Sequence, residues 1–334
     1  MGGGPSHEDL MTYAVELYQK RSDDQCFLPD VGIDESLLKY SGTDSNTALQ
    51  AYSNEMVNLV PGFISSLGSA LGAFTAVPNA LGLGALLISM IMELALKGTG
   101  EQSESSYSML RRVFGEEKAS SVRDTLSECL RRHRMFIQNE DRLKGELRRL
   151  EQQLSNHLTI LKNSLLLDQQ MSTRGFKIWV NGAAFHVQML IHEARLNIET
   201  GSSDSDYFNA IQVAINLYLL DLDHLLDKYK TYKTSTTAYR GAILCKRNDP
   251  DVDICVAGYC AILNDEKKCS YYIDDGSLCQ GAALIEPYLD YVFSNYEPIL
   301  GLKRHFSDMK NNLNTLIHQH GSYILPFSTR GTRM

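Results

Sequence analysis

Five of the seven cysteines lie close together in the last third of the chain. A cluster of this density, in a segment too short for a hydrophobic core of its own, is typical of a disulfide-linked module. Because five is an odd number, one thiol is left for a more distant cysteine, and we assign no connectivity. The disulfide candidates are Cys245, Cys255, Cys260, Cys269, Cys279 and Cys26.

Zinc binding is the alternative chemistry for such a cluster. Structural zinc sites usually contain closely spaced pairs such as Cys-x2-Cys. The closest pair here, Cys255 and Cys260, has four residues between its members. Disulfides are therefore favoured over zinc, and no metal is expected.

The nine histidines form no recognisable catalytic or metal-binding motif. His186 and His192 are six residues apart, which points their rings to different sides of a helix, and Glu193 does not complete a His-Glu-x-x-His motif. We interpret these histidines as polar-face or hydrogen-bonded core residues. The glycine-rich segment Leu81–Ala85 lacks the preceding strand of a dinucleotide-binding fingerprint. We expect neither enzymatic activity nor a cofactor.

The most distinctive segment is Met56–Met92, which contains no Asp, Glu, Lys or Arg. Pro61-Gly62 and Pro78-Asn79 interrupt it, which predicts two helices and a turn. As helices, the arms Phe63–Val77 and Ala80–Leu96 would be about 22 and 25 Å long, against roughly 30 Å of bilayer hydrocarbon. Each arm is therefore short for a permanent membrane anchor.

The two arms of this hairpin would present different surfaces. The first has small residues along one side, which allows a close approach of helices. The second is apolar almost all round, which requires burial in protein or in lipid. We expect Gly68 and Gly72 to set the distance between helices and Pro78 to lie at the tip. The large apolar residues expected to face lipid or core are Phe63, Leu67, Phe74, Leu86, Ile88 and Ile91.

Different functions are compatible with such a hairpin. It could be ordinary core in an intracellular helical interaction or scaffold protein, or a self-association surface. Alternatively it is stored in a bundle and inserts into a bilayer after a trigger, as in α-helical pore formers of the colicin type. Moving apolar side chains between core and lipid is close to neutral in free energy, so a modest trigger suffices. We favour a non-enzymatic, membrane-active protein with a lipid membrane as conditional partner and a homo-oligomer as active state.

Helical periodicity recurs through most of the chain. Residues 108–172 carry the strongest signal, a leucine stripe typical of a long core helix in a bundle, with a dimerising coiled coil as the alternative. The stripe consists of Leu143, Leu147, Leu150, Leu154, Leu158, Leu161 and Leu165. Further helices are predicted at His7–Lys20, 174–199, Tyr207–Tyr232 and Glu297–Gln319.

The composition changes near Thr234, where β-branched residues, glycine, aspartate and cysteine replace the helical pattern. Short strands are predicted at Ala242–Leu244, Cys255–Leu263 and Ser270–Ile273. The expected fold class is mainly α, an elongated helical bundle with a buried apolar helical hairpin and a small Cys-rich module that contains β-strands. The expected segments are an N-terminal packing arm (1–50), the bundle (51–240, with the hairpin at 56–97), the Cys-rich module (241–285) and a C-terminal helix that returns to the bundle (286–334).

Charge and the N-terminal residues bear on partners and location. The net charge is -8 and the pI is near 5.6, with basic and acidic residues interleaved, so nucleic acid is not expected as a partner. No basic region precedes an apolar run, so no secretory signal is expected, and Gly2 with Ser6 fits a loose myristoylation pattern. These features favour a cytoplasmic or unconventionally released protein, whereas the cysteine cluster favours an oxidising location.

Three stretches resemble fish proteins of the rapunzel and cephalotoxin-like family. They are WVNGAAFHVQMLIHEARL (Trp179–Leu196), LLDKYKTYKTST (Leu225–Thr236) and the hairpin itself (Val60–Leu94). The resemblance covers roughly residues 50–240. It implies a helical bundle, with toxin-like or pore-forming activity in some relatives and developmental roles in others. Cephalotoxin-type toxins are larger, secreted and multidomain, and this sequence departs from them in showing no signal peptide.

Overall fold

The computed structural model describes residues 6–20, 27–59, 76–78, 89, 113, 121–136, 139–198, 204–249, 252–273, 281–319 and 322–324. This part of the chain is mostly helical, with a three-stranded and a two-stranded antiparallel sheet. The prediction of a mainly α protein with a small β-containing region is confirmed. The apolar hairpin lies almost entirely outside the described residues, so its helical form stays a prediction.

The described helices and strands have the following bounds. The helices are α1 (His7–Lys20), α2 (Glu35–Ser41), α3 (Ser45–Leu59), α4 (Ser121–Phe136), α5 (Glu140–Leu166), α6 (Thr173–Ile198), α7 (Asp204–Thr236), α8 (Ile285–Asn295), α9 (Glu297–Asn311) and α10 (Leu313–Ile317). The strands are β1 (Ala76–Pro78), β2 (Thr237–Asp249), β3 (Val252–Asn264), β4 (Cys269–Ile273) and β5 (Ser322–Ile324). Among the described helices, none is long and apolar enough to cross a bilayer.

Two predicted helices are each divided in the structure. The described part of 108–172 forms α4 and α5, because Asn139 ends one helix and caps the next, its side-chain oxygen accepting a hydrogen bond from the backbone N–H of Arg142 at 3.1 Å. The predicted helix Glu297–Gln319 is interrupted at Asn312, between α9 and α10. At the second break the Asn312 side chain makes no capping hydrogen bond to α10; its Nδ2 donates to the carbonyl oxygen of Asp308 at 2.9 Å, near the end of α9.

Other differences concern short elements. α2 and α3 occupy a region expected to be a connector; Asp34 caps α2 by accepting the backbone N–H of Ser36 at 2.9 Å. α8 lies where no helix was predicted. Ala76 and Val77, predicted as the end of the first hairpin arm, belong to β1. The strands β2, β3 and β4 have the predicted positions but are longer, because β2 and β3 pair along nearly their whole length.

The contacts divide the chain into two compact units, each assembled from segments distant in sequence. Unit 1 consists of Met1–Val31, Leu165–Phe176 and Asp223–Gly301. Unit 2 consists of Gly32–Ser164, Lys177–Leu222 and Leu302–Met334.

In unit 1, α1 packs against α8 and the sheet. Ala14 and Leu17 of α1 belong to one buried cluster with Ile262 of β3 and with Tyr288 and Leu289 of α8. The three strands follow the order β2-β3-β4, all antiparallel. The apolar face of α1 therefore packs against the sheet and α8.

In unit 2, α6 is the central helix. Nearly every residue from Lys177 to Leu196 is buried, and the leucine stripe of α5 is buried against the rest of the unit. The stripe is thus covered by the chain's own helices, as predicted for a bundle. A β-carbon built at Gly182 would lie 2.7 Å from Leu158 Cδ2 and 3.1 Å from Val122 Cγ1, so α4, α5 and α6 meet closely at this glycine.

We predict that Gly182→Val destabilises unit 2 by about 2–3 kcal/mol, because Leu158 and Val122 are buried and have little room to move. The matched control is Gly145→Ala in α5, where nothing lies within 4 Å of the added carbon, and which should stabilise by about 0.5–1 kcal/mol through helix propensity. Trp179, the single tryptophan, is buried in α6 and reports unit 2 unfolding in urea by its fluorescence. Equal effects of both substitutions would contradict the close packing at Gly182.

Candidate functional site

The candidate site is the set of polar side chains that α6 carries into the interior of unit 2. A helix buried on all sides is normally apolar, and burying a polar group costs free energy unless it is hydrogen-bonded. The partners of these side chains therefore define the site. The buried polar residues are Asn181, His186, Gln188, His192, Glu193 and Arg195.

Asn181 joins α6 to the segment before α2. Its Nδ2 donates to the carbonyl oxygen of Gly32 at 3.0 Å, and its Oδ1 accepts the backbone N–H of Asp34 at 2.7 Å. The fully buried amide therefore replaces the backbone partners that this extended segment lacks.

His186 links three helices through both ring nitrogens. Its Nε2 lies 2.7 Å from Glu151 Oε1 of α5, and its Nδ1 lies 3.0 Å from the Tyr218 hydroxyl of α7. The ionised Glu151 carboxylate can only accept, so Nε2 carries the proton and Nδ1 accepts the hydrogen bond of Tyr218. Burial raises the pKa of Tyr218, with a further contribution from Glu151. The hydroxyl therefore stays protonated, and this triad orients side chains without creating a nucleophile.

A pair of buried histidines, His133 of α4 and His192 of α6, lies where these two helices meet. The rings of His133 and His192 are 5.8 Å apart between centroids. His133 Nδ1 lies 3.0 Å from the carbonyl oxygen of Cys129, so it carries the proton and donates it. His133 Nε2 and His192 Nδ1 are buried and have no hydrogen-bond partner in the described part of the chain. If either of these nitrogens took up a proton, the new N–H would have no hydrogen-bond acceptor in the described part of the chain.

Burial keeps this pair neutral. It lowers the pKa of His133 to about 4, and that of His192 falls well below its usual value because of burial and the nearby His133 and Arg195. Burial also raises the pKa of the Cys129 thiol to about 12. Cys129 is therefore a buried, protonated thiol at neutral pH, not a reactive thiolate.

Arg195 extends the network to the C-terminal helices. Its Nε donates to the carbonyl oxygen of Leu316 at 2.6 Å, at the end of α10, and its Nη2 donates to Gln319 Oε1 at 3.2 Å. Gln319 in turn donates to the carbonyl oxygen of Thr43. The cation is well placed at a helix C-terminus, but burial lowers its pKa to about 9, and Nη1 has no hydrogen-bond partner in the described residues.

The strand β5 begins shortly after Gln319 and pairs with β1. In this two-stranded sheet Val77 lies opposite Tyr323, and Pro78 lies opposite Ser322. Pro78, predicted at the tip of the hairpin, thus lies in the strand that connects the two predicted arms. The remaining hairpin candidates, Phe63, Leu67, Gly68, Gly72, Phe74, Leu86, Ile88 and Ile91, lie outside the described residues.

Unit 1 contains a separate polar cluster at the start of α6. Glu266, in the turn between β3 and β4, accepts the backbone N–H of Thr173 at 2.7 Å and its hydroxyl at 2.5 Å. Lys233 Nζ lies 3.3 Å from the same carboxylate. The Lys233 side chain is almost fully buried, and burial lowers its pKa. The hydrogen bonds from Thr173 and the charge of Lys233 lower the pKa of Glu266 against the opposing effect of burial.

The candidate disulfide residues are distributed over the sheet of unit 1. Cys245 of β2 lies directly opposite Cys255 of β3, whereas Cys260 pairs with other residues and Cys269 begins β4 opposite Asn264. Cys26 and Cys279 lie outside the described residues. The register thus brings one candidate pair together, and the disulfide pattern itself stays a prediction.

A surface cleft of about 320 Å³ lies between α4 and α5. Its carboxylates and imidazole are engaged within the protein: Arg132 Nε donates to Glu128 at 2.6 Å, and His157 Nδ1 lies 2.9 Å from the Thr125 hydroxyl. In the described part of the chain, no group of three or more His, Cys, Asp or Glu residues could hold a metal ion. The cleft is lined by Ser121, Asp124, Thr125, Glu128, Gln153 and His157.

The fold and the polar network together define a mainly α-helical protein with a small antiparallel sheet. Comparison with protein-family models, with curated proteins and with solved structures finds no match. The resemblance to the rapunzel and cephalotoxin-like family therefore rests on the three sequence stretches alone.

Reasoning from sequence missed the sites that depend on distant partners. His186 was expected to be either a polar-face or a hydrogen-bonded core histidine; it is buried and makes two hydrogen bonds, so it is the second. His133, Arg195 and Lys233 were not singled out. A charged or titratable residue on the apolar stripe of its helix would have been the signal for each of them.

We predict that unit 2 loses stability as pH falls from about 7 to 5. Below their unfolded pKa near 6.5, histidines take up a proton in the unfolded state but stay neutral in the fold, so each buried histidine with a pKa of about 4 costs roughly 2 kcal/mol at pH 5. His133, His192 and His305 act in this direction. Burial raises the pKa of Glu193, so this one group has the opposite effect and makes the fold more stable as the pH falls.

Urea unfolding followed by Trp179 fluorescence at both pH values measures this effect. His133→Leu should remove roughly 2 kcal/mol of the pH dependence, and His7→Asn, a change at an exposed histidine, should remove none. If His133→Leu leaves the pH dependence intact, this histidine is not neutral in the fold.

A second prediction concerns the ion pair in unit 1. Glu266→Gln keeps an oxygen for Thr173 but removes the charge that balances buried Lys233, so it should destabilise by about 2–4 kcal/mol. The double variant with Lys233→Met should recover a large part of this loss. Denaturant unfolding followed by circular dichroism measures the stability of wild type, the two single variants and the double variant, which together form a double-mutant cycle. Additive effects of the two substitutions would contradict a coupled pair.

Proposed function

We propose that this protein is a non-enzymatic, membrane-active helical protein that stores an apolar hairpin and releases it into a bilayer under acidic conditions. The observation that carries the proposal is the charge-free run Met56–Met92. Such a segment is stable inside a protein or inside lipid but not in water. Because each arm is shorter than the bilayer is thick, insertion requires association of several hairpins, and the active state is a homo-oligomer.

The pairing of β1 with β5 supports storage. The segment that connects the two predicted arms contains Ala76–Pro78, and this segment is hydrogen-bonded to Ser322–Ile324 near the other end of the chain. A hairpin that enters a membrane tip first has to break this pairing. Three residue pairs in a two-stranded sheet are a weak contact, so the pairing can act as a latch that a modest change in free energy opens.

The network on α6 supports an acidic trigger. Protonation of His192 would place a second positive charge beside Arg195, in an interior that already lowers the pKa of both groups. Arg195 holds the end of α10 and Gln319, and β5 follows directly. The charged or titratable groups that act on His192 in the described residues are His133 of α4 and Arg195 of α6, and neither is a carboxylate that would stabilise the new charge.

The energy involved is adequate for a switch. A shift of about 2 kcal/mol per buried histidine is comparable to the free energy that holds a minor conformation at a few per cent of the population. Neutral pH therefore favours the stored state, and the pH of acidified compartments favours release.

The proposal is tested by dye release from lipid vesicles at about pH 7 and about pH 5. Wild-type protein should release dye at the lower pH and leave vesicles intact at the higher pH. Gly68→Leu and Gly72→Leu should reduce release, because they separate the associated helices. If wild-type protein leaves vesicles intact at both pH values and with neutral and anionic lipids, the membrane-active function is wrong, and a helical interaction protein is the better description.

The latch has its own test. Val77→Cys with Tyr323→Cys places two thiols directly opposite each other in the β1–β5 register, where a disulfide is geometrically compatible with paired strands. Oxidation should abolish acid-induced release, and a reductant should restore it. The single-cysteine variants carry the same native cysteines and should behave like wild type. Full release from the oxidised double variant would show that the strands need not separate.

A further inference from the structure

The outer face of α7 carries a stripe of exposed apolar residues. Val213, Leu217 and Leu220 have exposed fractions of 57%, 57% and 53%. Large apolar side chains exposed singly are ordinary, but three on one helix face are not. Ala210 is exposed one turn earlier. The four residues, Ala210, Val213, Leu217 and Leu220, are called the α7 stripe below.

The spacing of the α7 stripe is that of a helix-packing seam. Successive members are three, four and three residues apart, which places them in alternating a and d positions of a heptad pattern. A seam of this kind accepts a second helix that packs at a shallow crossing angle. The stripe therefore fits a helical partner better than an extended peptide.

The surface around the stripe is free of charge. Between Asn209 and Leu220, every exposed residue of α7 is uncharged. The exposed face of α5 from Gln152 to Asn163 is uncharged as well, and α5 is joined to α7 by the ion pair between Lys162 and Asp221 at 3.0 Å. In a chain with 22% charged residues, neighbouring stretches of two helices without exposed charge indicate a surface that is buried in use.

The ends of the stripe indicate which helix covers it. Exposed Asp206 lies one turn before the stripe, and exposed His224 lies one turn after it. In an antiparallel pair of two α7 helices, Ala210 faces Leu220 and Val213 faces Leu217. The same register places Asp206 of one copy opposite His224 of the other, so a carboxylate meets a hydrogen-bond donor at both ends. In a parallel pair, Asp206 would face its own copy, and like charges directly opposite are unfavourable.

We infer that the α7 stripe is a self-association surface that pairs two copies of this protein in antiparallel fashion through Ala210, Val213, Leu217 and Leu220. The two-fold symmetry makes the surface self-complementary, as a closed dimer requires. The seam is short, with about 27 Å between Asp206 and His224, so the contact belongs to the small, reversible class of interfaces. The pairing concerns the folded protein at neutral pH and does not rest on the membrane-active function proposed above.

The first test is the concentration dependence of mass. Sedimentation velocity of the full chain from roughly 5 to 200 µM should show a reversible monomer–dimer equilibrium. Leu217→Glu should weaken dimerisation at least tenfold, because it buries a charge in the seam. Leu167→Glu, at a residue that is 72% exposed outside the stripe, should leave it unchanged. Circular dichroism and the emission of Trp179 confirm that each variant is folded, which is expected because the substituted residues are exposed.

The second test is specific for the antiparallel register. His224→Glu should weaken the dimer several-fold, because it places two carboxylates opposite one another. Asp206→Lys should also weaken it, because it replaces the acceptor opposite His224 with a donor, and the double variant, which pairs opposite charges, should restore the dimer. Mixing Asp206→Cys protein with His224→Cys protein under mild oxidation should give a cross-linked heterodimer. Asp206→Cys protein alone should give no more cross-linked dimer than wild type.

Four outcomes overturn the inference. The first is a monomer at all concentrations. The second is a dimer that Leu217→Glu does not weaken, which would place the interface elsewhere. The third is efficient cross-linking of Asp206→Cys protein with itself, which would show a parallel pair. Vesicle binding at neutral pH that depends on Leu217 while the protein stays monomeric would assign the stripe to lipid instead and would also overturn it.

Discussion

The burial of α6 on all sides is the constraint on which the rest of unit 2 depends. A buried helix needs no polar side chains for its own stability, yet six of the buried residues that α6 contributes to unit 2 are polar or charged. Each of them has to be matched by a group from another element. Asn181 recruits the segment before α2, His186 recruits α5 and α7, and Arg195 recruits α10. The arrangement of the surrounding helices is thus fixed by hydrogen bonds from the centre as well as by apolar packing.

Where a buried polar group lacks a hydrogen-bond partner among the described residues, the stability of the fold depends on pH. His133 and His192 are neutral because of burial, and each has a ring nitrogen without a partner among the described residues. Their neutrality is a condition for the fold, so the free energy of unfolding depends on pH through them. By contrast, the Lys233 and Glu266 pair in unit 1 is charged and hydrogen-bonded to Thr173. Unit 1 therefore pairs its buried charges, whereas the two histidines of unit 2 stay uncharged.

The surface shows the complementary pattern. Helix α5 is rich in charge over its first turns, where Arg149 pairs with Glu146, and its exposed face is uncharged from Gln152 onwards. Helix α7 carries no exposed charge between Asp206 and Asp223. Since exposed charge keeps helical proteins monomeric and soluble, its absence over neighbouring faces of two helices has a physical cost, which a second copy of α7 would remove.

The sequence by itself determined the elements whose signal is local. The apolar periodicity of α1, α6 and α7 and the leucine stripe of α5 arise within one helix, and so does the alternation in the strands. Short helices such as α2, which depend on a cap more than on periodicity, were missed. Only the tertiary structure decided which polar residues meet: Glu266 with Thr173, Glu151 with His186, Arg195 with the end of α10. These pairs join residues far apart in the chain, and no local pattern encodes the chain path that brings them within hydrogen-bonding distance.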